Sequence, residues 1–599
     1  MKSSVHLLHS SSRRWLLPTA VLLSMAAAAV AYAGFTRDPL RVADDQKVTV
    51  SLPDYPGIAN PNDRGWYHHS TNVVVAGDGA LVTCYRIADG HTATMTGIVI
   101  ARSTDGGRTW HDHQMIAKGD VWHEYALWVA PQMSVLKDGR LVVLCDLGQR
   151  NSGQNWPMLS DWQKPDRGMA NYLFISADNG RTWTKGQKTD EVGGEPGYIV
   201  ELSDGALAYT RTSSQKTDKL KNPPPPWNDI YYRNEIVFSR DGGKTWPEAH
   251  WLADSPFHGD CEVGLAELAP GKLVAATRIG FGNGRFGHPS RLIFSDDGGR
   301  TWPRAEPAPF YGQRPHFSRL QSGKMLVTYR NMWGTPGNRA LVFDINEHLG
   351  FQPTSYILDE TRCELTNDAL TLRTSEGKRA AVEFNLYPAQ DDRSRVEIEA
   401  TLRVEDADVH GCAISAGCWV QFLPDRISLA GRPATGFAFD TRGWHTYRIV
   451  RENAKIAIYA DGKLMLESPI DDIWVREVRF GNHALAKGSE TYTANRAITH
   501  WRKFSAKVTN ADDTSIDWNW TPAQGYPDQF RRDRVVVLDT AYPGDCGYSS
   551  WTQLPDGRIV IVDYTNGGTL ESFSWGRPGE GKAPFVRAYL VKETDLTRQ

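Results

Sequence analysis

Glu262 and Tyr548 lie far apart in the chain, yet each stands eight residues before a short turn that opens an apolar strand. Those segments are Pro270-Gly271-Lys272-Leu273-Val274 and Asp556-Gly557-Arg558-Ile559-Val560. The same count back from Asp78-Gly79, Asp138-Gly139, Asp204-Gly205 and Ser322-Gly323 gives Ser70, Ala130, Pro196 and Arg314. One step earlier lie His69, Val129, Glu195, Cys261, Gln313 and Gly547. Charged and phenolic groups are poor core material, so their recurrence at one register points to a shared pocket. A tyrosine beside a carboxylate base can serve as a nucleophile. Arginine recognises a carboxylate through two parallel donors. Arg211, Arg278 and Arg330 all end strands, where ligand contact and an ion pair bracing the sheet fit equally well. His68, His69, His91, His123, His258 and His316 fall at or near the same strand starts. Histidine is an acid or base near neutral pH and can also bind a carboxylate or a metal. The cysteines show no paired C-x-x-C spacing, so no metal cluster and no cofactor are expected.

The elements that must position these residues are repeats. The turn-plus-strand unit occurs six times, the fifth and sixth copies being Ser322-Gly323-Lys324-Met325-Leu326 and the Asp556 segment. A second motif, Ser-x-Asp-x-Gly-x-Thr-Trp, occurs at Ser103–Trp110, Ser176–Trp183, Ser239–Trp246 and Ser295–Trp302. Each copy follows a short apolar strand. Its aspartate suits a tight turn in which the carboxylate accepts backbone N–H groups, while the tryptophan packs under the next strand. Repetition on this scale marks a repeat architecture. Six hairpins between innermost strands predict six propeller blades, whose strand starts line one mouth. More than 200 residues separate the fifth hairpin from the sixth, too many for a loop. Within that gap, residues 395–400 and 444–450 alternate in polarity, and 456–464 read as a hairpin turning at Asp461-Gly462. The expected fold is all-β: a six-bladed propeller with a jelly-roll β-sandwich inserted between blades five and six. The expected boundaries are 50–352 for the first five blades, 355–510 for the sandwich and 515–599 for the last blade.

Composition narrows the partners. Charged residues at 23% and hydrophobic ones at 40% exclude wholesale disorder. Residues 1–33 read as a signal peptide: Arg13-Arg14, an apolar run from Trp15, and Ala31-Tyr32-Ala33 before Gly34. The paired arginines also permit the twin-arginine route. A secreted or periplasmic protein is expected, soluble after cleavage. The formal charge of −3 becomes −6 without the leader, which argues against a nucleic-acid backbone or an anionic membrane surface as partner. Seven cysteines are too few for a disulfide scaffold. Cys412 and Cys418 could bridge locally, or all could be buried thiols.

The Ser-x-Asp-x-Gly-x-Thr-Trp motif is similar to the Asp-box of sialidases and related propellers, and it speaks to fold rather than chemistry. The tract 355–510 resembles the concanavalin-like jelly rolls found beside sugar-processing enzymes. Gly547-Tyr548-Ser549-Ser550-Trp551 resembles the sialidase Tyr-Ser-Ser-Leu segment, which implies Tyr548 as nucleophile. Glu262, 16 residues before Arg278, resembles the glutamate that activates that tyrosine and the arginine that binds the substrate carboxylate. Arg339 stands where the resemblance implies a further triad arginine, and Arg314, His68, His91, His123 and His316 complete the expected binding residues. Two family parts differ. The first arginine aligns with His69, and the acid-bearing loop offers only Asp89, with His91 beside it. The resemblance implies an exo-acting glycoside hydrolase on an acidic sugar, Tyr548, Glu262, Asp89 and His69 being the catalytic candidates. Arg, His and Tyr at one mouth also suit a β-eliminating lyase on uronic-acid glycans. The departures equally suit a propeller that binds an oligo- or polysaccharide without turnover.

Overall fold

The computed structural model describes residues 40–598 apart from 60–64, 92, 124–125, 150–168, 217–229, 255–258, 280–289, 332–336, 348–349, 351, 358–362, 375–381, 387–393, 409–410, 431, 471–477, 483–495, 511–514, 541–545 and 568–582. The leader at 1–33 and His258 lie outside the described residues.

Each short turn joins two strands as the residue chemistry demands. In five of the six hairpins the turn glycine donates its N–H three residues back, as Gly79 does to Ala76 O (2.9 Å) and Gly557 to Leu554 O (2.9 Å). Those glycines hold φ between 81° and 88°, which side chains with a Cβ resist. The strand after each turn is then buried on both faces, and adjacent residues point into opposite seams. Leu81 packs with Val560 and Val586, whereas Val82 packs with Leu141 and Cys145. Leu141 and Val142, Leu207 and Ala208, Leu273 and Val274, Met325 and Leu326, and Ile559 and Val560 divide in the same way. Six apolar clusters thus link six sheets into a closed ring.

The fold is all-β, and the blades are sheets of four or five strands. Blade one uses Tyr67–Val75, Leu81–Ala88, Met95–Ser103 and His111–Asp120. The fifth sheet starts with Gln313–Arg319, Met325–Asn331 and Gly337–Phe343. It is completed by Val535–Thr540, which pairs with residues 337–341, and by Leu40–Arg41. The sixth sheet holds Gly547–Gln553, Ile559–Thr565 and Phe585–Val591, and its outermost strand is Lys47–Thr49 from near the start of the chain. The return from the inserted tract therefore comes later than residue 515. Ser515–Trp520 still pairs with Ala497–Thr509, and the first strand afterwards belongs to the fifth sheet. Strands between Thr354 and Trp520 form sheets of seven and eight strands around one apolar core that includes Phe384, Phe480, Trp501 and Trp520.

The four Asp-boxes join the third and fourth strands of their blades with nearly identical bonding. In the first, Asp105 Oδ1 accepts from Ser103 Oγ (2.8 Å), Arg108 N (3.0 Å) and Thr109 N (2.9 Å), and Oδ2 accepts from Thr109 Oγ1 (2.6 Å). Those bonds, the Thr hydroxyl foremost, hold the Asp178 and Asp297 carboxyls down to about 2. Among the described residues all seven cysteines are free thiols, Cys412 and Cys418 included.

Candidate functional site

Five of the ten described non-glycine residues with positive φ stand at strand starts of the mouth. Ser70, Glu195, Glu262, Arg314 and Tyr548 all have positive φ, between 42° and 51°. Pairing slips beside four of them, between His69 and Asn72, Cys261 and Gly264, Gln313 and His316, and Gly547 and Ser550. Such bulges turn a side chain away from the regular pleat, and left-handed backbone at a residue with a Cβ costs about 1–3 kcal/mol. Five blades spend that strain at equivalent positions around one axis.

The result is a tight cluster. Tyr548 Oη donates to Glu262 Oε1 at 2.6 Å across a separation of 286 residues. Arg278 Nη1 lies 2.7 Å from Glu262 Oε2 and 3.4 Å from Tyr548 Oη. The guanidinium carbons of Arg330 and Arg314 lie 4.5 and 4.9 Å from the centre of the Tyr548 ring. Gly547 makes this approach possible, since a Cβ there would stand 2.5 Å from Arg330 Cβ. His69 meets the Tyr548 ring edge-on at 4.6 Å, and Ser70 Oγ holds its Nδ1 at 2.5 Å. A small polar cleft beside the ring is lined by Gln132, Tyr198, Glu262, Arg314, His316 and Tyr548.

Electrostatics sort the groups into roles. Burial pushes the Tyr548 phenol up, and the Glu262 charge adds to this. Burial would also raise Glu262, but Arg278 overrides it and keeps the carboxylate ionised. Burial, followed by the Glu262 charge, raises Glu195 well above its ordinary range, which favours its protonated form. Burial, followed by the charge of Arg86, keeps both His69 and His91 neutral, with His91 down at about 4. At neutral pH the mouth therefore holds several guanidinium cations against one ionised glutamate. That excess favours an anion.

Several sequence-expected residues stand elsewhere. Arg339 lies on the far side of the fifth sheet, where strand alternation pairs it with Tyr329. Its Nη1 donates to Asn338 O (3.1 Å) and Asp539 O (3.0 Å). His68 points away from His69, between Tyr55 Oη (2.7 Å) and Pro584 O (2.8 Å). His123 sits beside Asp120 with 83% of its side chain exposed. Asp89 is occupied within its own loop, accepting from Thr94 N (2.8 Å), Thr94 Oγ1 and Met95 N (3.2 Å). His316 is half-buried and packs against Tyr198, its ring pushed down to about 3 by desolvation. His91 reaches the cluster's edge, 6.0 Å from His69. Among the described residues no His, Cys, Asp or Glu group is arranged to hold a metal ion.

Sequence reasoning missed Arg86, gave Glu195 no role beyond its register position and left the placement of Arg330 open. A signal existed. Counting eight residues forward from the six turns gives Arg86, Asp146, Thr212, Arg278, Arg330 and Tyr564, at the mouth ends of the second strands. The ladders confirm the equivalence by pairing His69 with Arg86, Cys261 with Arg278, Gln313 with Arg330 and Gly547 with Tyr564.

Residues 79–340 match the family described as BNR repeat-like domain. The chain is 24% identical over 271 residues to a sialidase of Clostridium perfringens, covering 42% of this chain and 65% of that protein. It is 26% identical over 219 residues to a sialidase of Micromonospora viridifaciens, covering 33% of each. The chain thus spans less than two thirds of the length of these curated relatives. A solved structure from Dyadobacter fermentans, described as of unknown function, matches over 92% of this chain and 99% of its own, with 14% identity and a TM-score of 0.46. The Asp-box repeats and these sequence matches support a likeness to the sialidase superfamily across residues 79–340.

Proposed function

We propose that the protein is an exported, exo-acting glycoside hydrolase that cleaves a terminal acidic sugar. The observation that carries this reading is the buried 2.6 Å contact between Tyr548 and Glu262 inside a ring of guanidinium groups. A sugar whose carboxylate sits beside the anomeric carbon repels an anionic nucleophile, which favours a neutral phenol with a carboxylate base. In the proposed first step the Tyr548 proton passes to Glu262 as Oη bonds to the anomeric carbon. The leaving oxygen departs with the glycosidic electron pair. In the second step water attacks the same carbon and gives up one proton to solvent, from which the departed oxygen takes one up. Tyr548 leaves with the bonding pair, and the proton held by Glu262 returns to the phenol. Arg278, Arg314 and Arg330 hold the sugar carboxylate and offset charge on the phenolate.

The departing oxygen is the step with the least help. Asp89, where the resemblance places a general acid, is committed to Thr94 and Met95. Substrates whose aglycones leave without protonation, such as 4-methylumbelliferyl glycosides, should therefore be turned over fastest.

The test is a screen of 4-methylumbelliferyl glycosides of acidic sugars, N-acetylneuraminide and glucuronide included. Tyr548→Phe should lower kcat by roughly 10³-fold or more while leaving thermal unfolding unchanged. Hydrolysis that survives Tyr548→Phe sinks the nucleophile assignment. Ultraviolet absorbance appearing on uronic-acid polymers would move the assignment to a lyase.

A further inference from the structure

Every second strand ends at the mouth with a residue that faces the seam toward the next blade. In four seams that residue meets the strained strand start of the following blade. Asp146 Oδ2 accepts from Glu195 N (3.1 Å), and Thr212 Oγ1 accepts from Glu262 N (3.2 Å). Arg330 lies over the Tyr548 ring, and Tyr564 lies 4.7 Å from the ring of His69, the neighbour of Ser70. The seam between blades one and two is different. Its outgoing residue is Arg86, and by the same register the strand start it faces is Ala130, which has no side-chain acceptor.

Arg86 is 3% exposed. Its Nε and Nη2 are shielded from solvent and find no acceptor among the described residues. The two carboxylates that influence it are otherwise engaged: Asp146 accepts from Ala130 N and Glu195 N, and Asp89 accepts from Thr94 and Met95. Its pKa, lowered by burial to about 10, leaves it charged at neutral pH. Around it stand His69 and His91, both neutral, and the charge of Arg330 on blade five also reaches these two rings. A buried, ionised guanidinium without a partner is costly to folding. A fold that keeps one at the mouth holds it for something that arrives.

We propose that Arg86, at the seam of blades one and two beside His69 and His91, is an anion-binding subsite for a carboxylate or sulfate group of the glycan. Its place on blade one, with His69 between it and Tyr548, sets it apart from Arg278, Arg314 and Arg330 on blades four and five. The mouth so read takes a glycan carrying a second anionic group besides the one held over Tyr548. This rests on the acidic-sugar reading only for what bears the anion, because the subsite can be probed without turnover.

The probe is inorganic sulfate against chloride at equal ionic strength, with thermal unfolding as the readout for wild type, Arg86→Met and Arg86→Lys. Arg86→Met should unfold at a higher temperature than wild type in chloride and lose at least half of the sulfate-induced rise. Arg86→Lys should keep part of that rise. A lower midpoint for Arg86→Met in chloride makes Arg86 a structural residue and overturns the proposal. So does a sulfate response equal to wild type. A failed Tyr548→Phe test would leave these readouts untouched, so the two readings fall separately. To establish a second anion, D-glucuronate and its 2-O-sulfate are compared by calorimetry. A tenfold preference for the sulfate ester that vanishes in Arg86→Met supports the subsite, and a preference unchanged in the variant overturns it.

Discussion

The outer rim and the mouth of the propeller are both built from repeats, and they treat polar groups in opposite ways. At the rim, each Asp-box aspartate receives the same set of donors from its own eight residues in all four copies. At the mouth, equivalent positions carry Ser70, Ala130, Glu195, Glu262, Arg314 and Tyr548, five residue types in six places, and five of the six have strained backbone. Repetition with identical residues marks what the fold needs locally. Repetition of backbone with divergent residues marks what converges on a ligand. The satisfied carboxylates stabilise, whereas the crowded cations cost stability and gain reactivity.

Exchanging the two kinds of site should separate the two effects. Tyr548→Phe is expected to affect turnover alone. Asp105→Ala should do the reverse, because four donors lose their acceptor at once. Urea unfolding should show about 3 kcal/mol less stability, and kcat should stay within twofold of wild type under conditions where the variant is folded. A tenfold fall in kcat at unchanged stability would mean that the rim takes part in chemistry.

This contrast also explains what the sequence made legible. The hairpin turns could be read because Asp-Gly and Ser-Gly pairs adopt few backbone shapes, and the shared register then brought Glu262 to Tyr548. Arg339 misled because its place near the start of a strand says nothing about which face it occupies. Alternation turns it toward Tyr329, while Arg330 faces Tyr548. Glu195 was read one step before the counted position and given no role, yet its blade places Glu195 where the other counts land on their strained residue. The fifth sheet was harder still. No local pattern announces that Val535–Thr540 will pair with residues 337–341 across the whole inserted tract. The pairing of Lys47–Thr49 with Phe585–Val591 is non-local in the same sense.

A pH dependence sharpens the mouth side of the comparison. Glu195 is held above its ordinary value near 4.5, first by burial and then by the Glu262 charge. A group whose folded pKa is raised contributes stability at low pH and loses it as pH climbs through the folded value. Glu195→Gln keeps a donor toward Glu262 but cannot ionise. Relative to wild type it should therefore gain stability between pH 5 and pH 8, by about 1–2 kcal/mol in urea unfolding. A difference that stays flat with pH would show that the two carboxyls do not share a proton. An Asp-box aspartate, whose folded pKa is lowered, has the opposite sign: its stabilisation is lost on acidification.

The smallest effect tests whether positive φ carries the same cost at the rim. The second Asp-box has Asn179 at φ 61°, where the others have Gly106, Gly242 and Gly298 at 74–76°. Asparagine tolerates this region better than other residues with a Cβ, and glycine gains unfolded-state entropy that offsets its ease in the turn. Asn179→Gly should accordingly lie within about 0.5 kcal/mol of wild type, and Asn179→Ala about 1 kcal/mol below it. Both should leave turnover unchanged, because the carbonyl of Asn179 that receives Arg102 belongs to the backbone and survives either change. If Asn179→Ala instead matched wild type, left-handed backbone would be cheap in this propeller. The strain at Glu262 and Tyr548 would then lose its standing as a mark of function, and the mouth would rest on its charges alone.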